Sequence, residues 1–226
     1  MEIIPAILAK DFEELREHIS QVIGLAKIVQ IDICDGIFVS SKSWPYPEDI
    51  NFAKIMAEEE GLPFWEEVDF ELDLMVQDAR FSFDKFIKLG AKRLIFHAEA
   101  EDLGELNEFI EAIDPYTRES IQIGIAINTT TSIEKLAQLI FHIDFVQCMG
   151  IEHIGQQGQP FDERVLDQIK ALKILYPELE ISVDGGVNLI TAPHLLKAGA
   201  NRLVVGSALF KSDDIEETLR EFKNLK

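Results

Sequence analysis

Two stretches place an aspartate where an apolar run gives way to glycine: Val29-Gln30-Ile31-Asp32-Ile33-Cys34-Asp35-Gly36 and Ser182-Val183-Asp184-Gly185-Gly186. Along a β-strand alternate side chains share a face, so Gln30, Asp32 and Cys34 point one way and Ile31 and Ile33 the other. Two carboxylates facing each other across a small substrate can serve as general base and general acid, moving a proton at a carbon beside a carbonyl. Asp32 and Asp184 are the candidate pair, while Asp35 is expected to shape the turn with Gly36. Taken singly, either member of the pair reads more simply as a cap or as an acceptor for loop backbone.

The glycine-bearing turns change that balance. Asp184-Gly185-Gly186-Val187-Asn188 and Gly206-Ser207-Ala208 both follow strand-like runs, and Gly155-Gln156-Gln157-Gly158-Gln159 follows another. Glycine lets backbone N–H groups approach an oxyanion closely, so Gly155, Gly158, Gln159, Gly185, Gly186, Gly206 and Ser207 form a candidate phosphate cradle.

The elements needed to bring these turns together are legible as a regular alternation. Strand-like runs cover 3–8, 27–34, 70–76, 93–98, 122–128, 144–151, 180–183 and 202–205. Helical periodicity covers 10–23, 52–60, 80–89, 103–113, 132–141, 162–175, 190–198 and 213–223. Thr131-Ser132 and Ser212-Asp213 are the expected caps of two of these helices, and Gly90 and Gly199 close two others. Eight βα units with Val/Ile/Leu-rich strands and no Pro/Gly/Ser linker predict a single (β/α)8 TIM barrel of the phosphate-binding type spanning 1–226. An open doubly wound sheet is the structural alternative. In the barrel, strand ends carry the chemistry, and strands two and seven bring Asp32 and Asp184 to opposite sides of one mouth. The long polar-aromatic connection over 37–51 is either a lid or a surface loop.

Composition removes several classes of function. A net charge of −20, from 41 acidic and 21 basic residues, repels nucleic-acid phosphates and anionic membrane surfaces. The same field opposes a phosphorylated substrate, so a phosphate site must rely on local backbone donors. No run approaches the roughly 18 apolar residues of a membrane span, and no signal-like segment is seen, so the expected location is cytoplasmic. Cys34 and Cys148 read as buried thiols. No lysine occupies a strand end, which argues against a Schiff-base aldolase or a lysine-dependent decarboxylase. Self-association into a homo-oligomer is left open.

Across essentially its whole length the chain resembles the ribulose-phosphate 3-epimerase family. The resemblance rests on Pro5-Ala6-Ile7-Leu8, Asp32-Ile33-Cys34-Asp35-Gly36-Ile37-Phe38-Val39, Leu72-Asp73-Leu74-Met75-Val76 and His97-Ala98-Glu99-Ala100. It continues through Gly155-Gln156-Gln157-Gly158-Gln159 with Phe161, Val183-Asp184-Gly185-Gly186-Val187-Asn188 and Gly206-Ser207-Ala208-Leu209-Phe210. It implies an isomerase of carbohydrate metabolism that moves the proton at C3 of a pentulose or ketose phosphate through an enediolate, with Asp32 and Asp184 as acid and base. It also implies a divalent metal at Gln30, Asp32, Asp73 and Asp184, and a polarizable wall made by Cys34, Met75 and Met149.

Gln30 and Asp73 stand where the family carries histidines, Ala6 where it carries a serine, Ile37 where it carries a histidine, and Glu152-His153 where it carries Asn-Pro. Loss of both imidazoles leaves an all-oxygen ligand set, which favours Mg²⁺, Mn²⁺ or Ca²⁺ over Zn²⁺. Without a cation, three converging carboxylates should drive at least one to titrate high. A diverged phosphosugar-binding barrel without epimerase turnover is the alternative. His97 is expected to be a satisfied interior residue and His153 a loop residue without a role, with His18, His142 and His194 in surface or packing positions.

Overall fold

Strands that are apolar on both faces must have both faces covered, and in the computed structural model, which describes residues 1–225, closure and a helical layer achieve this. The strands are β1 (Glu2–Ile7), β2 (Ile28–Cys34), β3 (Asp69–Met75), β4 (Arg93–His97), β5 (Gln122–Ile127), β6 (Phe145–Met149), β7 (Glu180–Asp184) and β8 (Arg202–Val205). They pair in parallel in that order, and β8 returns to β1, so the barrel has no edge.

The helices are α1 (Phe12–Ser20), α2 (Ile50–Met56), α3 (Phe83–Lys88), α4 (Leu103–Ala112), α5 (Pro115–Ser120), α6 (Arg164–Leu175), α7 (Ala192–Ala198), α8 (Ser207–Phe210) and α9 (Ile215–Lys223). The core lies between them and the outer faces of the strands, where Val29, Ile31 and Ile33 of β2 join Leu72, Leu74 and Leu94. Each such side chain contributes roughly 1.5–3 kcal/mol by leaving water. The period of two leaves Gln30, Asp32 and Cys34 pointing inward, as expected.

Two local expectations are corrected. The helix expected over 132–141 is a single 3-10 turn, Ile133–Leu136, followed by further tight turns. Bonds such as Ala137 N–H to Glu134 O and Leu139 N–H to Leu136 O bury Leu136, Leu139 and Ile140, meeting the apolar spacing without a long helix. The cap expected at Ser212-Asp213 falls to Asp214, whose carboxylate accepts from Glu217 N–H. An unexpected helix, α5, begins where Asp114 caps Thr117 N–H and Pro115 takes the first helical position.

The connection over 37–51 is pinned rather than free. Ser43 Oγ donates to the Asp32 carbonyl at 2.6 Å and accepts from Cys34 N–H at 2.8 Å. Trp44 is buried between Phe12 and Phe52. Only its first residues reach the mouth: Phe38 lies against the His97 ring at 5.3 Å between centroids, and Val39 packs with Cys34 and Met75.

Candidate active site

Register decides which side chains meet at the C-terminal mouth. Asp32 of β2 lies opposite Asp73 of β3, Cys34 opposite Met75, and Met149 of β6 opposite Asp184 of β7. Oxygen atoms of Asp32, Asp73 and Asp184 all lie within 4.8 Å of one another. Gln30, one pleat below, turns its amide nitrogen upward and donates to Asp32 Oδ1 at 2.9 Å and to Asp184 Oδ2 at 3.0 Å. Asp73 Oδ1 meets His97 Nε2 at 2.8 Å, so His97 is interior as expected and engaged with the site itself, but only half satisfied, because its buried Nδ1 has no partner. Gln30 and Asp73 are not bonded to each other; each is tied to a different member of the cluster.

Two buried carboxylates and a half-buried one, with no Lys or Arg among the described residues beside them, cannot all ionise cheaply. Burial, and then the Asp184 and Asp73 charges, push Asp32 well above the usual carboxylate range. Burial and the Asp73 charge push Asp184 up to about 7, against the lowering effect of the Gln30 amide. Burial opposes the imidazolium of His97, yet the Asp73 carboxylate holds its pKa above the ordinary value. Burial raises the Cys34 and Cys148 thiols, so both remain protonated and unreactive at neutral pH.

The donor set fits a hard cation. Asp73 Oδ2 and Gln30 Oε1 are buried without a partner, and the three carboxylates converge closely enough to share one ion. Asp32, Asp73 and Asp184 would hold it directly, and Gln30 would join by turning its amide to present Oε1.

The same mouth opens into a cavity of about 290 Å³, at the lower end of the roughly 300–1,000 Å³ typical of ligand pockets. Asp32 and Asp184 line it, together with Gly155, Gly158, Gln159, Gly185, Gly186, Gly206 and Ser207, so the candidate acid/base pair and every candidate cradle residue share one space. Gly186 has φ +67°, and a Cβ there would stand 2.9 Å from Phe161 Cα, so the turn needs glycine. Met75 and Met149 line the cavity, whereas Cys34 is set behind Met75, sulfur to sulfur at 4.0 Å. Asp35 shapes the turn, accepting from Ile37, Phe38 and Gln77 N–H groups at 2.7, 3.0 and 2.9 Å. His153 is exposed.

Sequence reasoning missed the Asp73–His97 pair and the bridging amide of Gln30. The signal for the first was present: inward residues on adjacent strands, near the same mouth. It also passed over Gln156 and Gln157, which line the cavity.

A family model described as the ribulose-phosphate 3 epimerase family matches residues 2–210. A ribulose-phosphate 3-epimerase of Bacillus subtilis is 31% identical, covering 100% of both chains. One of Eremothecium gossypii is 30% identical over 98% of this chain and 91% of its own. Among solved structures, 3-hexulose-6-phosphate synthase from Salmonella typhimurium superposes with a TM-score of 0.72 over 100% of this chain and 98% of its own, at 16% identity, a likeness of fold alone.

Proposed function

The chain belongs to the ribulose-phosphate 3-epimerase family, and from that premise we propose that it is a sugar-phosphate epimerase acting at C3 of a pentulose or ketose phosphate. The observation that carries this reading is the single cavity in which Asp32 and Asp184 meet beside the glycine turns. Backbone N–H groups at Gly155, Gly158, Gly185, Gly186 and Gly206, with Ser207 and Gln159, hold the phosphate and fix the distance from it to C3. One ionised carboxylate of the Asp32/Asp184 pair takes the C3 proton. The C–H electrons pass into the C2–C3 bond while the carbonyl π electrons move onto its oxygen, forming an enediolate. The other, protonated, carboxyl then returns a proton to the opposite face.

Raised pKa values suit this division, because one member of the pair keeps its proton near neutrality while the other can lose it. Gln30, donating to both, fixes the two carboxylates relative to each other. Met75 and Met149 offer an apolar, polarizable wall to the reacting carbons. Asp32, Asp73 and Asp184 would hold a divalent cation, which would supply positive charge against negative charge building on the substrate oxygens, and the all-oxygen set favours Mg²⁺, Mn²⁺ or Ca²⁺ over Zn²⁺.

Solvent deuterium should enter C3 of ribulose 5-phosphate, with formation of the C3 epimer, when the protein is supplied with Mg²⁺ or Mn²⁺. No exchange with any divalent cation would sink the proposal. A binding role without turnover is the second reading, favoured by the engagement of Gln30 with both acids and of Asp73 with His97. Its mark would be a phosphosugar-induced rise in melting temperature with no exchange.

A further inference from the structure

A chain of net charge −20 has to draw a dianion into its cavity, and backbone N–H groups bring no full positive charge to offset that field. Two side chains outside the acid cluster stand over the cradle. The Gln157 amide nitrogen lies 3.1 Å from where a Cβ on Gly206 would stand, and the Lys211 ammonium 3.9 Å from the corresponding point on Gly158. Gly206 and Gly158 belong to different loops, and both line the cavity. Lys211 follows α8, with its N–H bonded to Ser207 O, so the backbone turn that carries Ser207 also sets the root of the lysine.

The nearby guanidinium of Arg164 is already engaged, paired with Asp162. Among the described residues, neither Gln157 nor Lys211 has a side-chain hydrogen-bond or ion-pair partner.

We propose that Lys211 and Gln157 form a side-chain clamp on the phosphate of the substrate, one from each of the two loops, with Lys211 as its single full positive charge. The proposal deepens the epimerase reading and rests on the same cavity. Lys211 supplies a mobile point charge suited to a dianionic phosphate, and Gln157 a neutral donor above Gly206. Neither touches the reacting carbon, so their contribution belongs to binding.

The test is calorimetric titration of the full chain with inorganic phosphate, alongside KM for ribulose 5-phosphate. Lys211→Ala should raise the phosphate Kd about fivefold, the scale of one exposed ion pair, and should flatten its dependence on ionic strength. Lys211→Arg should restore most of the affinity. Gln157→Ala should weaken binding about threefold, as loss of one neutral donor does. The loss should fall on KM rather than kcat, and the melting temperature without phosphate should stay put, because neither group has a structural partner to lose.

Wild-type phosphate affinity in both alanine variants would overturn the clamp, as would no measurable phosphate binding by the unaltered chain. The two readings fail separately. A chain that binds phosphate through Lys211 and Gln157 but never exchanges the C3 proton keeps the clamp and loses the epimerase. A chain that exchanges, with both variants unchanged in KM, does the reverse.

Discussion

The two ends of the barrel treat buried acid in opposite ways. At the floor, Glu71, with 1% of its surface exposed, meets Arg93 at 3.0 Å. Glu2 lies 3.1 Å from Arg93 and 3.6 Å from Arg202, which also pairs with Glu180. At the mouth, Asp32, Asp73 and Asp184 converge with no Lys or Arg among the described residues to separate them. Glu71 and Asp73 are two residues apart on the inner face of one strand, so neither depth nor backbone explains the difference. Neighbours do. Burial pushes Glu71 up to about 7 although Arg93 pulls it down, whereas at Asp184 burial and the Asp73 charge act together. Neutralised acids hold a barrel closed. Un-neutralised acids store the capacity to exchange a proton or to take up a cation.

Asp184→Asn against Glu71→Ala breaks this comparison most sharply. Removing one carboxylate of the proposed acid/base pair should lower C3 exchange by roughly 10²–10⁴. It should leave the melting temperature level or raised, because a like-charge contact is lost. Glu71→Ala should leave exchange near wild type and cost about 3 kcal/mol of unfolding free energy, since the half-buried Arg93 keeps only Glu2 as a carboxylate partner, beside the Gln122 amide oxygen. Chemical denaturation and isotope exchange on both variants read the two effects. A greater loss of stability from Asp184→Asn than from Glu71→Ala would mean that the mouth, too, is built for holding the fold.

A smaller effect concerns pH and divalent cation. Asp184, at about 7 in the folded chain against an ordinary 3.8, holds its proton more tightly when folded. Its contribution to stability is therefore present below about pH 4 and is lost as pH rises through 7; Glu71, also at about 7 against 4.5, has the same sign. Melting temperature in chelator should fall between pH 5 and 8. Mg²⁺ or Mn²⁺ should flatten that fall, since the ion binds the ionised cluster and at a hundred times its Kd contributes about 2.7 kcal/mol. Asp73→Asn should abolish the flattening and Glu71→Ala should not. A flattening that survives Asp73→Asn would put the ion elsewhere.

The fold was legible because its signal is repeated eight times: each inward-outward alternation and each apolar helix face says the same thing. The helix expected over 132–141 failed because spacing of apolar residues cannot distinguish a helix from successive tight turns that bury the same side chains. At the site, Asp32, Asp184 and the glycine turns were legible since strand ends and turn chemistry are local. The bridging of Gln30 between residues 154 positions apart, and the bond from Asp73 to His97, depend on which strands end up as neighbours and how far each side chain reaches. Lys211 was illegible for the same reason: it follows one loop and serves another.

His97 is where the two regimes touch, since among the described residues it is the one group that can carry positive charge directly against the acid cluster. Were it a counterpart of the floor arginines, its chief duty would be neutralisation, and His97→Gln would mainly lower stability in acid, an effect lost as pH rises through the raised pKa of the imidazole. Its geometry argues for positioning instead. Nε2 is committed to Asp73 Oδ1, while Asp73 Oδ2 is left free toward the other two carboxylates. An outer partner that fixes a ligand in this way typically governs metal affinity by tenfold or more. His97→Gln, read by titration of Mn²⁺ into the full chain, should therefore weaken the cation about tenfold, the smallest of these effects in free energy. Unchanged Mn²⁺ affinity with a melting temperature lowered only in acid would return His97 to the floor's logic and leave Asp73 to orient itself.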